Sequence, residues 1–239
     1  MLQARIRSIR NGGTLVKPVA RKPFVFLLAL CSVALFAQSR SSGPKIIHTT
    51  EKSKTHTPAE TPSGLATIYS NLGPSTDAYN DANGAVVNGP AASVGISFSY
   101  SVPFTPKSNA HVHEIRAAMS YLLGTNGANQ VNLSIYSDAS GVPGALLAGP
   151  VTVANLPNFG TCCALAAAVF ANPLAVTAGT QYWIVADTPT TGTGDDFYGV
   201  WDFNYKTPFL QASNVGGFAW SQVHGGFEQG AVGVFGTIP

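Results

Sequence analysis

The stretch SVGISFSYSVPF, residues 93–104, decides how the rest of the chain is read. Val94, Ile96, Phe98, Tyr100 and Val102 alternate with Gly95, Ser97, Ser99 and Ser101. Successive side chains of a strand point to opposite faces, so this period of two predicts a strand with one buried and one open face. The segment QVNLSIYS, residues 130–137, repeats the device, with Val131, Leu133 and Ile135 on one side and Asn132, Ser134 and Tyr136 on the other. It runs into DASGVPGALLAG, where Gly141, Pro143 and Gly144 predict a tight turn before a short return.

Outward from these two strands the same grammar continues. Short alternating runs between turn signals occur at TQYWIVAD (180–187), DFYGVWDFN (196–204), GGFAWSQ (216–222) and AVGVFGT (231–237). HEIRAAMSYLL (113–123) mixes a period-two alternation with helix-favouring Ala, Met and Leu; its strand neighbours and the terminating Gly124 favour a strand. A chain poor in charge and built from short strands reads as an all-β, antiparallel β-sandwich of jelly-roll type. Residues 64–239 are long enough for one domain with its own core.

The N-terminal part reads differently. Arg5, Arg7, Arg10, Lys17, Arg21 and Lys22 precede the apolar run FVFLLALCSVALFA, residues 24–37, with no acid among them. A basic segment followed by 14 apolar residues predicts a secretory signal over residues 1–39, since a bilayer span needs about 20. An uncleaved membrane anchor is the alternative, and Cys31 falls inside the apolar run. Residues 40–63, RSSGPKIIHTTEKSKTHTPAETPS, have Ile46 and Ile47 as their large apolar residues, which predicts a disordered linker. The expectation is a secreted, cell-surface or periplasmic protein that meets a membrane only through its N-terminal segment.

Charge narrows the partners. The whole chain carries +2, but from Gly64 onward Lys107, Arg116 and Lys206 face nine acidic residues, a net charge of −6. Phosphate neutralisation needs clustered Lys and Arg, so nucleic acid is not an expected partner.

The run VNLSIYSDASGVPGALLAG (131–149), followed by VTAGTQYWIVADT (176–188) and a later tryptophan-rich stretch, resembles a group of secreted bacterial β-sandwich proteins of the choice-of-anchor type. These attach different C-terminal sorting signals to a similar extracellular domain. The resemblance covers roughly residues 73–236 and rests on turn and core residues, so it implies an architecture and no particular activity. The C-terminal GAVGVFGTIP departs from the anchored pattern, which leads to the expectation of release or of N-terminal tethering.

Several constellations carry chemistry. With Cys31 in the signal, Cys162 and Cys163 have three options: a bond to each other, bonds to another molecule, or free thiols. Adjacent Cα atoms across a trans peptide lie about 3.8 Å apart, below the usual ~4.4–6.8 Å of a disulfide, so a vicinal ring adds little global stability. If exposed, it presents a stiff, flat contact surface; if buried, it is a tight corner. His111 and His113 share one face of a strand and suit zinc or copper, with His224 or Asp202 as a third ligand; the plainer reading is two polar residues on the solvent face of an edge strand. Asp195 and Asp196 in a glycine-rich bend, and Asp138 in SDASG, suit calcium or a solvated turn. No other cofactor is expected.

Trp201 and Trp220, with Tyr198, Tyr205 and Asp202, offer aromatic faces beside polar groups, which is what a sugar ring needs. Core packing of the two indoles is the competing reading. There is no GxSxG, HExxH or P-loop, and from residue 64 onward Glu114 and Glu228 are the sole glutamates. The expectation is therefore a non-catalytic exported module that binds a glycan or other surface partner. A structural envelope or matrix protein comes second and a secreted hydrolase third.

Overall fold

A computed structural model describes residues 44–50, 58–122, 124, 126–190, 192–205, 211–223 and 227–239. Ser39 to Pro239 is one compact unit; the expected signal segment with Cys31 lies outside the described residues, as do His224 and Lys206. The strands are β1 (Ile46–His48), β2 (Ala66–Ser70), β3 (Asn80–Asn88), β4 (Phe98–Phe104), β5 (Ala110–Ala117), β6 (Met119–Tyr121) and β7 (Gln130–Asp138). There follow β8 (Pro143–Ala154), β9 (Ala166–Val176), β10 (Tyr182–Asp187), β11 (Tyr198–Phe203), β12 (Gln211–Val215), β13 (Ser221–Val223) and β14 (Val232–Thr237). No α-helix occurs among the described residues, and none of them forms a helix long and apolar enough to cross a membrane.

The chain folds as the all-β antiparallel sandwich that its alternation predicts. One sheet has the order β2-β14-β5-β9. The larger runs β6-β11-β3-β4-β10-β7-β8, with β1 added to β3 and the β12–β13 hairpin added to β4. Between them lies one apolar core, drawing Tyr100, Val102 and Phe104 from β4, Val131, Leu133 and Ile135 from β7, and Ile115 and Val234 from the smaller sheet. Each such side chain contributes roughly 1.5–3 kcal/mol on burial.

Local chemistry explains the joints. Between β7 and β8, Ser140 and Gly141 both take positive φ, 58° and 86°, while the Ala139 N–H donates to the Val142 carbonyl at 2.8 Å. Two consecutive left-handed residues make the turn whose twist matches paired strands. The return strand β8 is 12 residues long, not short. Residues 113–121 are strand, as the alternation predicts, but they change sheets at Ala118. Its N–H donates to Ala231 and its carbonyl accepts from the Asp202 N–H, at 3.0 and 2.8 Å.

Three expectations are revised. The strand in residues 93–104 begins at Phe98, because Gly95 takes φ 69° and its N–H closes a turn onto the Ala92 carbonyl at 2.8 Å. In residues 216–222 the strand begins only at Ser221, after two further positive-φ glycines, Gly216 and Gly217. The serine face is not open either, since Ser101 and Ser134 are buried. One of the two sheets is strongly curled, and Gln222 of β13 donates its amide N–H to the Gly141 carbonyl at 3.1 Å, beside the β7–β8 turn. Ser101 survives burial because its hydroxyl donates to the Ala212 carbonyl at 3.0 Å.

Within the expected linker, Ile46, Ile47 and His48 pair with Ala85, Gly84 and Asn83 of β3. Ile46 packs against the main core. Two apolar side chains and an available edge suffice to add this strand.

Candidate functional site

A cleft of about 320 Å³ opens where β11 begins. Ser93, Asn126, Asp196 and Tyr198 supply its polar groups, with Ala91, Ala92 and Gly127 between them. The short 3-10 turn Gly192–Asp196 delivers Asp196, and two glycines let it seat closely. A Cβ on Gly89 would lie 2.0 Å from the Asp195 carbonyl oxygen, and one on Gly127 1.9 Å from that of Asp196. The Asp196 carboxylate accepts the Ala128 N–H at 2.9 Å. Lys45 donates to the Tyr198 hydroxyl at 3.4 Å and lies 5.9 Å from the ring centroid, which orients that ring.

The aromatic residues expected to form one platform are not together. Trp201 is fully buried, its N–H donating to the Ala231 carbonyl at 3.0 Å and its ring edge-on to Tyr100 with centroids 5.9 Å apart. It is a core residue, because the pleat that turns Tyr198 outward turns Trp201 inward. Asp202 is also buried. Tyr198 and Tyr205 flank opposite ends of β11, and Trp220, partly buried, belongs to the β12–β13 connection. Tyr205 is half-exposed and donates to Asp77 at 2.7 Å.

The other sequence candidates resolve as follows. His111 and His113 do share a face, but β5 is an inner strand between β14 and β9, so the edge position expected for them is not observed. His113 lies 3.4 Å from the Thr237 hydroxyl. Among the described residues no three His, Cys, Asp or Glu gather closely enough to hold a metal. Asp138 is a turn acceptor, taking N–H donors from Trp183 at 2.7 Å, Gln181 at 2.8 Å and Gly141 at 3.1 Å. Burial pushes its carboxyl up, and these donors outweigh that and hold it below the usual range.

Cys162 and Cys163 are bonded to each other across a cis peptide. Both are buried in a second, small core with Ala78, Tyr79, Ala118 and Ala231. A flat exposed sulfur surface is therefore not what they present. Tyr79 holds the corner, donating to the Thr161 and Ala164 carbonyls at 2.9 and 3.1 Å, and Cys163 accepts the Ala78 N–H at 3.2 Å.

Next to this small core is a feature that no motif announced. Asp81 and Asp202 are both almost wholly buried, and Asp81 Oδ2 and Asp202 Oδ1 have no hydrogen-bond partner. Asp202 Oδ2 accepts the Ser120 hydroxyl at 2.8 Å. Burial holds the Asp202 carboxyl well above its ordinary range, the Ser120 bond opposes this, and the charge of Asp81 adds to it. Burial and then both aspartates raise the Tyr79 phenol. The signal available in the sequence was the polar run Asn80-Asp-Ala-Asn-Gly84, which reads as a turn but lies within β3.

No family model matches the chain, and no curated protein matches it.

Proposed function

We propose that this chain is an exported, non-catalytic β-sandwich module that binds a glycan in the cleft walled by Tyr198. The observation carrying this reading is the grouping of a partly exposed tyrosine ring with a carboxylate, an amide and a hydroxyl in one open cleft. A sugar stacks its C–H face on the ring while its hydroxyls bond the polar groups. Its size, about 320 Å³, falls at the lower end of the roughly 300–1,000 Å³ of small-ligand sites. Among the described lining residues Asp196 is the one carboxylate, whereas hydrolysis by the usual route needs two flanking the scissile bond. The basic segment and apolar run at residues 5–37 support export. The test is a glycan array with the purified full chain: binding that weakens roughly tenfold in Tyr198→Ala and Asp196→Asn is expected. Failure to bind any glycan sinks the reading.

A second reading, a self-assembling envelope or matrix protein, draws on another observation. The outer strands β8 and β9 carry no charged residue, and Leu147 and Val169 are 41% and 62% exposed. Between those strands lies an apolar groove of about 360 Å³ lined by Leu147, Pro150, Val151 and Phe170. Uncharged edges are templates for pairing with another chain. Concentration-dependent assembly, abolished by Val169→Lys, supports this reading over the first; a monomer at all concentrations removes it.

A further inference from the structure

We propose that Asp81 and Asp202 are the charged ligands of a calcium site between the bulge of β3 and the end of β11. The register places them. Asp202 pairs with Gly84 and Phe203 with Asn80, so residues 81–83 are extra in β3 and bulge from the ladder. Phe203 belongs to the main core, which turns its neighbour Asp202 to the opposite side, toward the small core of Tyr79, Ala118 and Ala231. Asp81 is on that side as well, close enough for its charge to act on both Asp202 and Tyr79.

Among the described residues the surroundings supply negative charge and no compensating cation. Asp81 and Asp202 are 2% and 1% exposed, and each has one oxygen without a hydrogen-bond donor. The nearest buried phenol, Tyr79, commits its hydroxyl to Thr161 and Ala164. Among the described residues the ion pair is Arg116 with Glu114, on the other sheet, and Lys45 is engaged by Tyr198. Buried charges in native proteins are paired with an opposite charge or coordinate a metal.

The donor set selects the ion. Asp81 and Asp202 offer carboxylate oxygens, and the sulfurs of the small core are bonded to each other, so the pair presents hard donors. Hard oxygen donors suit calcium, which fills its remaining positions with water and carbonyl oxygens. The Ser120 hydroxyl on Asp202 Oδ2 is the kind of outer contact that fixes a ligating carboxylate, leaving Oδ1 for the ion. This site is separate from the cleft at Tyr198, at the other end of β11.

The experiment titrates the purified, chelator-treated full chain with terbium, a calcium analogue whose luminescence the neighbouring Tyr79 and Trp201 sensitise. One saturable equivalent, displaced by calcium, is expected, together with a rise in the thermal midpoint on adding calcium. Asp81→Asn and Asp202→Asn should each weaken terbium binding at least roughly tenfold, while Glu60→Gln leaves it unchanged. Should a variant fail to fold, native mass spectrometry of the unsubstituted chain counts bound calcium directly. Absence of both a terbium signal and a calcium adduct overturns the proposal, as does a signal that persists in both variants. A gain in stability by Asp202→Asn that is indifferent to calcium assigns the pair a shared proton instead and equally overturns it.

Discussion

Trp183 donates its indole N–H to Asp138 Oδ1 at 2.7 Å, tying the start of β10 to the end of β7. The same carboxylate also accepts the Gly141 N–H, so one exposed side chain supports both a buried indole and a hairpin turn. Asp138→Ala leaves that N–H unpaired and should cost about 1–2 kcal/mol. Asp138→Asn keeps an acceptor and should cost less; equal losses in a denaturant titration count against the bond.

Asp187 predicts a pH dependence. It lies beside Asn132 in the β10–β7 ladder, with one oxygen buried and unpaired. Burial pushes its carboxyl up to about 6, and the Asn132 side-chain bond pulls the other way. The folded state thus holds this proton more tightly than the unfolded chain, whose aspartates titrate near about 4. The resulting stability is complete below about pH 4 and is lost as pH rises through about 6, on the order of 2 kcal/mol allowing for partial exposure. Asp187→Asn should flatten this part of the profile and stabilise the protein at neutral pH. An unchanged profile in the variant refutes the assignment.

Trp201 and Tyr198 separate packing from binding. Trp201→Ala empties a fully buried site and should cost about 3–5 kcal/mol. Tyr198→Ala, at a partly exposed position, should change stability by about 1 kcal/mol or less while weakening the proposed glycan binding roughly tenfold. Measuring both variants by chemical denaturation and by binding checks the split: a stable Trp201→Ala protein contradicts the core placement.

The glycines beneath the Asp195–Asp196 turn offer a test of how the cleft is built. A Cβ on Gly89 meets backbone, at 2.0 Å from the Asp195 carbonyl oxygen, and no side chain can rotate out of its way. Gly89→Ala should therefore displace the turn, costing about 1–3 kcal/mol and weakening ligand binding without touching a lining residue. Wild-type affinity in this variant shows that the turn's seat is irrelevant to the cleft.

Burial of the cysteine pair carries its own prediction. With Cys162 at 4% exposure and Cys163 at 0%, alkylation of the folded protein without reductant should label neither. After unfolding and reduction both should react, which intact mass reads directly. Labelling of either without reductant rules out the bond.

The sequence by itself determined the class of fold and the charge of the folded region. Period-two alternation in residues 130–137 and 180–187 is a local property of the pleated backbone, so it survives any arrangement of the sheets. Alternation says which side chains share a face; it does not say whether the second face stays in water. Only tertiary structure decided that Ser101 and Ser134 are covered, because what lies over the second face of a strand depends on the twist and pairing of segments far apart in the chain. It also decided that Trp201 is core while Tyr198, three residues earlier on the same strand, lines a cleft. The joining of Asp81 to Asp202 lies furthest from sequence reading. It depends on a bulge that makes strand of the turn-like run Asn80-Asp-Ala-Asn-Gly84, and on strand pairing between segments far apart in the chain.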